Sequence, residues 1–174
     1  MSGRAMSPNR RRAWSSGDEM TTSVDLKTLI GSGDTIMVFT LPFLVVGLIL
    51  NAAYPSLFDI GDPSPGLRAI SIAVLIVGVT IWLWSVVLIL KEVPKGELIT
   101  GRPFALMRHP IYTSVSLLVL PAIGFLLGSW LGAVIGIAMY IGSRIYAPAE
   151  EAALAETFGA RWDSYRTTVK MPWL

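Results

Sequence analysis

The chain has 174 residues, 53% hydrophobic and only 15% charged, with a formal net charge of +2; soluble domains run at about 45–50% and about 25%. With no cysteine and one histidine, it has no disulfide, no thiolate metal site, no cysteine nucleophile and no histidine-rich metal centre. So small a charge, carried next to long apolar blocks, gives no footing for nucleic acid and points to an integral membrane protein.

Residues 1–34 are polar and carry Arg4, Arg10, Arg11, Arg12 and Lys27, which predicts a mostly disordered tail. The first apolar run begins too far beyond the basic cluster to read as a cleaved signal peptide. Residues 35–53 then read as a first spanning helix with Pro42 as a kink, and residues 69–90 as a second. The latter run of 22 apolar residues would reach about 33 Å at 1.5 Å per residue, enough for a hydrocarbon core of about 30 Å.

Two further apolar segments follow, residues 112–127 and 129–146. Each is short for a span and together they are too long for one helix, so they predict a helical hairpin turning at Gly128-Ser129. Gly124, Gly128, Gly132 and Gly136 recur every four residues, a spacing that lets two helix backbones approach closely in lipid. After Pro148, residues 149–169 place Leu154, Phe158, Trp162, Tyr165 and Val169 on one helical face, which predicts an amphipathic helix lying on the membrane surface. Gly159 is a candidate break in it.

The expected fold is therefore an all-α integral membrane protein with about four transmembrane helices, the last two a tight hairpin, and a C-terminal surface helix. Residues 35–174 form one domain. Lys and Arg concentrate in the tail, in the loop 91–109 (Lys91, Lys95, Arg102, Arg108) and beyond the hairpin (Arg144, Arg161, Arg166, Lys170), whereas the first interhelical loop has only Arg68 and the hairpin tip none. By the positive-inside rule both termini and the 91–109 loop are cytoplasmic.

This topology brings chemistry to one boundary. Arg108 and His109 stand before Pro110 at the mouth of the third apolar helix, and Glu150 and Glu151 stand just past the fourth. A histidine at the edge of an apolar helix needs a partner or a purpose. Simpler roles exist for its neighbours: Arg108 can snorkel, Pro110 can open a helix where its missing N–H costs nothing, and the acids can complement a helix dipole.

The order Gly96-Glu97-Leu98-Ile99-Thr100-Gly101, then Phe104-Ala105-Leu106-Met107-Arg108-His109-Pro110-Ile111-Tyr112, then a hairpin, then Glu150-Glu151 followed by Leu154, Phe158-Gly159, Trp162, Tyr165 and Val169 resembles the isoprenylcysteine carboxyl methyltransferase and phospholipid methyltransferase group. The resemblance covers under half of the chain, and residues 95–170 are the part it implies binds cofactor. It implies S-adenosylmethionine as cofactor and a lipophilic acceptor arriving from the membrane lipids. It further implies that Leu98, Ile99 and Phe104 line the cofactor pocket, that Arg108, His109, Pro110 and Tyr112 contact the cofactor, and that Glu150 with Glu151 receives its polar end. The ligand's chemistry agrees: a sulfonium and an ammonium want carboxylate and aromatic faces, its carboxylate wants donors, and adenine wants an apolar slot.

The acceptor is left open between a carboxyl, an amine and a hydroxyl. A carboxylate is already ionised and needs a cation to steer it, for which Arg144 is the candidate; an amine or hydroxyl must lose a proton, for which His109 is the candidate base. The resemblance implies a substrate arginine four residues before the cofactor glutamate, a position that is Tyr146 here. Thr113-Ser114 and Trp162 also depart from the group's pattern. Two other readings compete with methyl transfer: an NADPH-dependent membrane reductase resembling the sterol reductases, and a membrane scaffold without catalysis. The oligomeric state is open.

Overall fold

The computed structural model describes residues 26–172, so residues 1–25 of the tail expected over 1–34 lie outside the described residues. Five helices account for most of the rest: α1 (Leu26–Ala53), α2 (Pro65–Glu92), α3 (Pro110–Leu126), α4 (Leu131–Phe158) and α5 (Ala160–Thr168). No strand is formed among the described residues. Three helices are long and apolar enough to cross a bilayer, and α3 is a shorter apolar helix beside them. This is an all-α membrane protein.

Its packing is inside-out relative to a soluble bundle. The residues that α2 buries are Ser71, Gly78 and Ser85, spaced seven apart, while Ile70, Ile76, Leu83 and Leu90 stand exposed. In hydrocarbon, association gains nothing from hiding leucine, so small residues take the helix contacts and large apolar ones face the lipid. Ser85 and Thr80 donate their hydroxyl hydrogens to carbonyls one turn back in α2, which removes the cost of a bare polar group in lipid.

The hairpin expected at Gly128 is present. Gly128 takes φ +70°, a conformation open to glycine because it has no Cβ. Its turn is pinned to the loop between α1 and α2: Ile60 N–H donates to the Gly128 carbonyl at 2.9 Å, Trp130 N–H to Phe58 O at 3.0 Å, and the Trp130 indole to Leu57 O at 3.0 Å. Phe58, Leu131 and Ile135 form a small core beside it. Close approach of α3 and α4 rests on glycine, as the four-residue spacing predicts. A Cβ on Gly132 would strike the Leu120 carbonyl oxygen and sit 2.9 Å from the Gly124 backbone, and one on Gly136 would strike the Ser116 carbonyl oxygen. Within α3, residues Val115–Val119 widen into a π turn just before Pro121, whose ring would otherwise clash with the carbonyl four residues back.

Two boundaries and one packing partner differ from expectation. Helix α1 starts at Leu26, well ahead of residue 35, because no proline stops it before Pro42 and a helix nucleated by the apolar run propagates at one bond per residue. Helix α4 does not end at Pro148 but continues to Phe158, so no separate surface helix starts at residue 149; one missing N–H is tolerated when the flanking turns are packed. The break falls instead at Gly159, with φ +51°. Finally, the face bearing Trp162, Tyr165 and Val169 packs on Leu98, Phe104, Leu154 and Phe158. It covers the 91–109 loop, because protein aromatics offer a closer fit there than the headgroup layer.

Helix α1 lies along α4 and has no comparable contact with α2 or α3. The helices pack in the order α2, α3, α4, α1, with α3 between α2 and α4.

Gly132→Ala should cost on the order of 1–3 kcal/mol through overpacking against backbone. Gly142→Ala should cost less, since its Cβ would meet the movable ring of Phe39, at 2.6 Å. Thermal midpoints of the two variants in detergent test this; equal midpoints would contradict a backbone-to-backbone interface.

Candidate functional site

Pro110 opens α3, and the residue before it, His109, takes a non-helical conformation (φ −122°, ψ 61°), as expected for a residue whose helical conformation is disfavoured by the following proline. That turn points Arg108 and His109 at the far part of α4. Arg108 Nη1 donates to Glu151 Oε2 at 2.7 Å, and His109 Nε2 lies 3.0 Å from Glu151 Oε1. His109 is 8% exposed and the Arg108 and Glu151 side chains are about a fifth exposed. A carboxylate paired to arginine only accepts, so the imidazole nitrogen facing it carries the hydrogen. Nε2 is thereby held in a structural bond, and Nδ1 is the ring nitrogen left for a bound molecule. Tyr112 stacks on the imidazole with ring centroids 6.1 Å apart and 29° between planes.

Successive helical side chains point about 100° apart. Glu151 faces the start of α3, and Glu150 faces a cavity that Glu151 does not line. The cavity wall is apolar on most sides: Ile89 and Val93 from α2, Leu98, Ile99 and Phe104 from the loop, Leu154 and Phe158 from α4, Trp162 and Tyr165 from α5. Polar groups enter at Glu97, Arg108, His109 and Glu150. The space between these atoms is about 590 Å³, its open mouth included.

A second compartment adjoins it, with about 940 Å³ of space including its mouth. The two share Ile89, Phe104, Arg108, His109 and Glu150 as walls. Its remaining lining comes from the membrane helices: Asp34 and Met37 of α1, Trp82 of α2, Tyr112 and Val115 of α3, Met139 of α4. Helix α1 packs on α4 and makes no comparable contact with α2 among the described residues, so the compartment lies where α1 and α2 are not closely packed.

Of the residues singled out in the sequence, Leu98, Ile99 and Phe104 line the first cavity, Pro110 and Tyr112 the second, and Arg108, His109 and Glu150 both. Glu151 lines neither and holds Arg108 and His109 in place. Arg144 and Tyr146 line neither; Arg144 is exposed, and the Tyr146 ring packs edge-on against Phe39 of α1 at 5.9 Å. Asp34, Trp82 and Met139 were not anticipated. Nothing in a linear pattern ties Asp34, at the head of the first apolar run, to a wall built 70 to 120 residues later.

The loop is closed onto the C-terminal segment by two further bonds. Tyr165 donates its hydroxyl hydrogen to Phe104 O at 2.9 Å, and Met171 N–H donates to Leu106 O at 2.9 Å. Burial, assisted by the nearby Glu151 charge and opposed by Arg108, pushes the Tyr165 phenol up from 10.0 to about 12, so the hydrogen that makes the bond is retained at neutral pH.

Protein-family, curated-protein and solved-structure comparisons with this chain returned no match.

Because the folded phenol ionises later than the unfolded one, its stabilising effect is complete below pH about 10 and is lost as pH rises through about 12. Tyr165→Phe should cost about 1 kcal/mol at neutral pH, the worth of one hydrogen bond, and should flatten the loss of stability between those two pH values. Unfolding midpoints of both proteins across that window check it; parallel curves would contradict the role of the phenol.

Proposed function

We propose that this protein transfers a methyl group from S-adenosylmethionine to a lipophilic acceptor at the cytoplasmic face of the membrane, with both termini on that side. The observation that carries the reading is the pair of adjoining compartments, one walled by the loop and α5 and the other by membrane helices, that share Arg108, His109 and Glu150. The uneven spread of Lys and Arg along the chain supports the orientation.

The first compartment suits the donor's parts. Leu98, Ile99, Phe104 and Phe158 offer an apolar slot for adenine, and Glu150 with Glu97 offers carboxylates for an ammonium. Arg108 offers donors for a carboxylate; its Nε is buried and has no hydrogen-bond partner among the described residues, a state that costs free energy until an acceptor meets it. When bound, S-adenosylmethionine supplies a methyl group on a positively charged sulfur, a centre open to in-line displacement. The chain's own contribution is positional. Glu151 fixes Arg108 and His109, the loop covers the shared residues, and the second compartment would bring the acceptor against the methyl group where the two compartments meet.

Purified protein in nanodiscs should bind S-adenosylmethionine saturably by calorimetry and should not bind NADPH. Glu150→Gln should weaken that binding about ten- to a hundred-fold, the range expected for losing one charge-assisted hydrogen bond, without lowering the thermal midpoint. Saturable binding of NADPH alone would replace this reading with a reductase, and binding of neither ligand would leave a scaffold.

A further inference from the structure

Glu151 lines neither compartment and takes the hydrogen on His109 Nε2, at 3.0 Å. In a neutral imidazole the other nitrogen is then an acceptor with a bare lone pair. That nitrogen, Nδ1, has no hydrogen-bond partner among the described residues, and it is not sealed away as Ser71 Oγ and Arg108 Nε are. It therefore opens at the wall the two compartments share. Around it the second compartment is aromatic: Tyr112 stacks on the imidazole, and Trp82 and Phe104 stand in the same lining with the thioethers of Met37 and Met139. Rings and thioethers favour a flat aromatic guest over a bare alkyl chain.

We infer that this compartment takes a lipophilic phenol, a ring carrying a hydroxyl and an alkyl tail, and that His109 Nδ1 accepts the phenol's proton as the methyl group transfers. The ring lies among Trp82, Tyr112 and Phe104 with its hydroxyl toward His109, and the tail runs to lipid where α1 and α2 are not closely packed. A carboxylate has no hydrogen to offer Nδ1. An ammonium can offer one, but its nitrogen has no lone pair until the proton has left, so proton removal cannot assist the attack itself. An alkanol keeps its lone pairs yet holds its proton far more tightly than a phenol, which ionises near a pH of about 10 in water. The carboxylates of Asp34 and Glu150 also line the compartment, but a carboxylate is in general a weaker base than an imidazole.

The inference rests on the methyl-transfer reading and names its acceptor class. A lone pair of the phenol oxygen forms the new O–C bond as the C–S bond breaks with its electron pair remaining on sulfur. The O–H proton passes to Nδ1 and from there to water at the mouth. The products are an aryl methyl ether, a neutral thioether and one proton. His109 is thus a catalytic base, its ring held by the bond that Nε2 makes to Glu151.

The test supplies 4-dodecylphenol, dodecanol, dodecylamine and dodecanoate to the full chain in phosphatidylcholine nanodiscs with methyl-labelled S-adenosylmethionine at saturation. Labelled product is measured by mass spectrometry, with empty nanodiscs subtracted, and donor binding is followed by calorimetry. The phenol should be methylated at least about ten-fold faster than any of the other three. His109→Gln, whose amide can still donate to Glu151, should lower kcat on the phenol by about a hundred-fold or more, the range for loss of a general base. On 4-dodecyl-2-nitrophenol, which is already ionised at mildly alkaline pH, the same variant should lose less than about ten-fold, because no proton remains to be taken. Equal losses on the two phenols would assign His109 a structural part only and overturn the inference, as would an unchanged kcat in His109→Gln. Donor binding with transfer to none of the four, or at equal or greater rate to the amine, the alkanol or the carboxylate, would overturn it and leave the methyl-transfer reading standing. Absence of donor binding would remove that reading and the inference with it.

Discussion

The two-pronged contact of Glu151 with Arg108 and His109 is the constraint on which the rest of the architecture depends. It joins the residue pair entering α3 to the far part of α4, 42 and 43 positions along the chain. Without it the 91–109 loop would keep the hydrogen bonds from Tyr165 and Met171 and the packing of Leu98 and Phe104 on the C-terminal aromatic cluster. A partly buried arginine and carboxylate are costly to desolvate, and their attraction offsets that cost only when both stay paired. The contact therefore holds the loop end of α3 to α4, and breaking it leaves a partly buried charge unpaired.

Two ends of the bundle are organised differently. At the hairpin end, glycine contacts and the Trp130–Phe58 pair, with ring centroids 4.9 Å apart, fix α3 and α4 by backbone proximity. At the loop end, large side chains take the contacts: Trp162 and Tyr165 are almost fully buried against the loop. Rigid packing at one end and a lined cavity at the other is an arrangement that holds polar groups steady without filling the space between them.

Much of the scaffold could be read from residues. The unbroken apolar run at 69–90 announces α2, the four-residue glycine spacing announces the hairpin, and the placement of His109 before Pro110 with two acids past the next helix announces their meeting. Other features could not be read. Glu150 and Glu151 are adjacent and chemically alike, and only the rotation of α4 decides that one faces the cavity while the other latches the loop. Pro148 is a strong local signal for a new helix, overridden because α4 is packed on both sides of it. The aromatic face of α5 carries the same period whether it meets lipid or protein, so periodicity alone could not choose. Asp34 and Trp82 carry no local pattern; only tertiary placement puts them in the lining of the second compartment.

A double-mutant cycle on Arg108 and Glu151 tests the latch most directly. Arg108→Gln, Glu151→Gln and the pair of substitutions together would be compared with the parent chain by reversible unfolding in mixed micelles. The predicted result is a coupling of about 1–3 kcal/mol, with the double variant less damaged than the sum of the single ones. Additive effects, within about 0.3–0.5 kcal/mol, would mean that the two side chains do not hold each other and that the cavity has no latch.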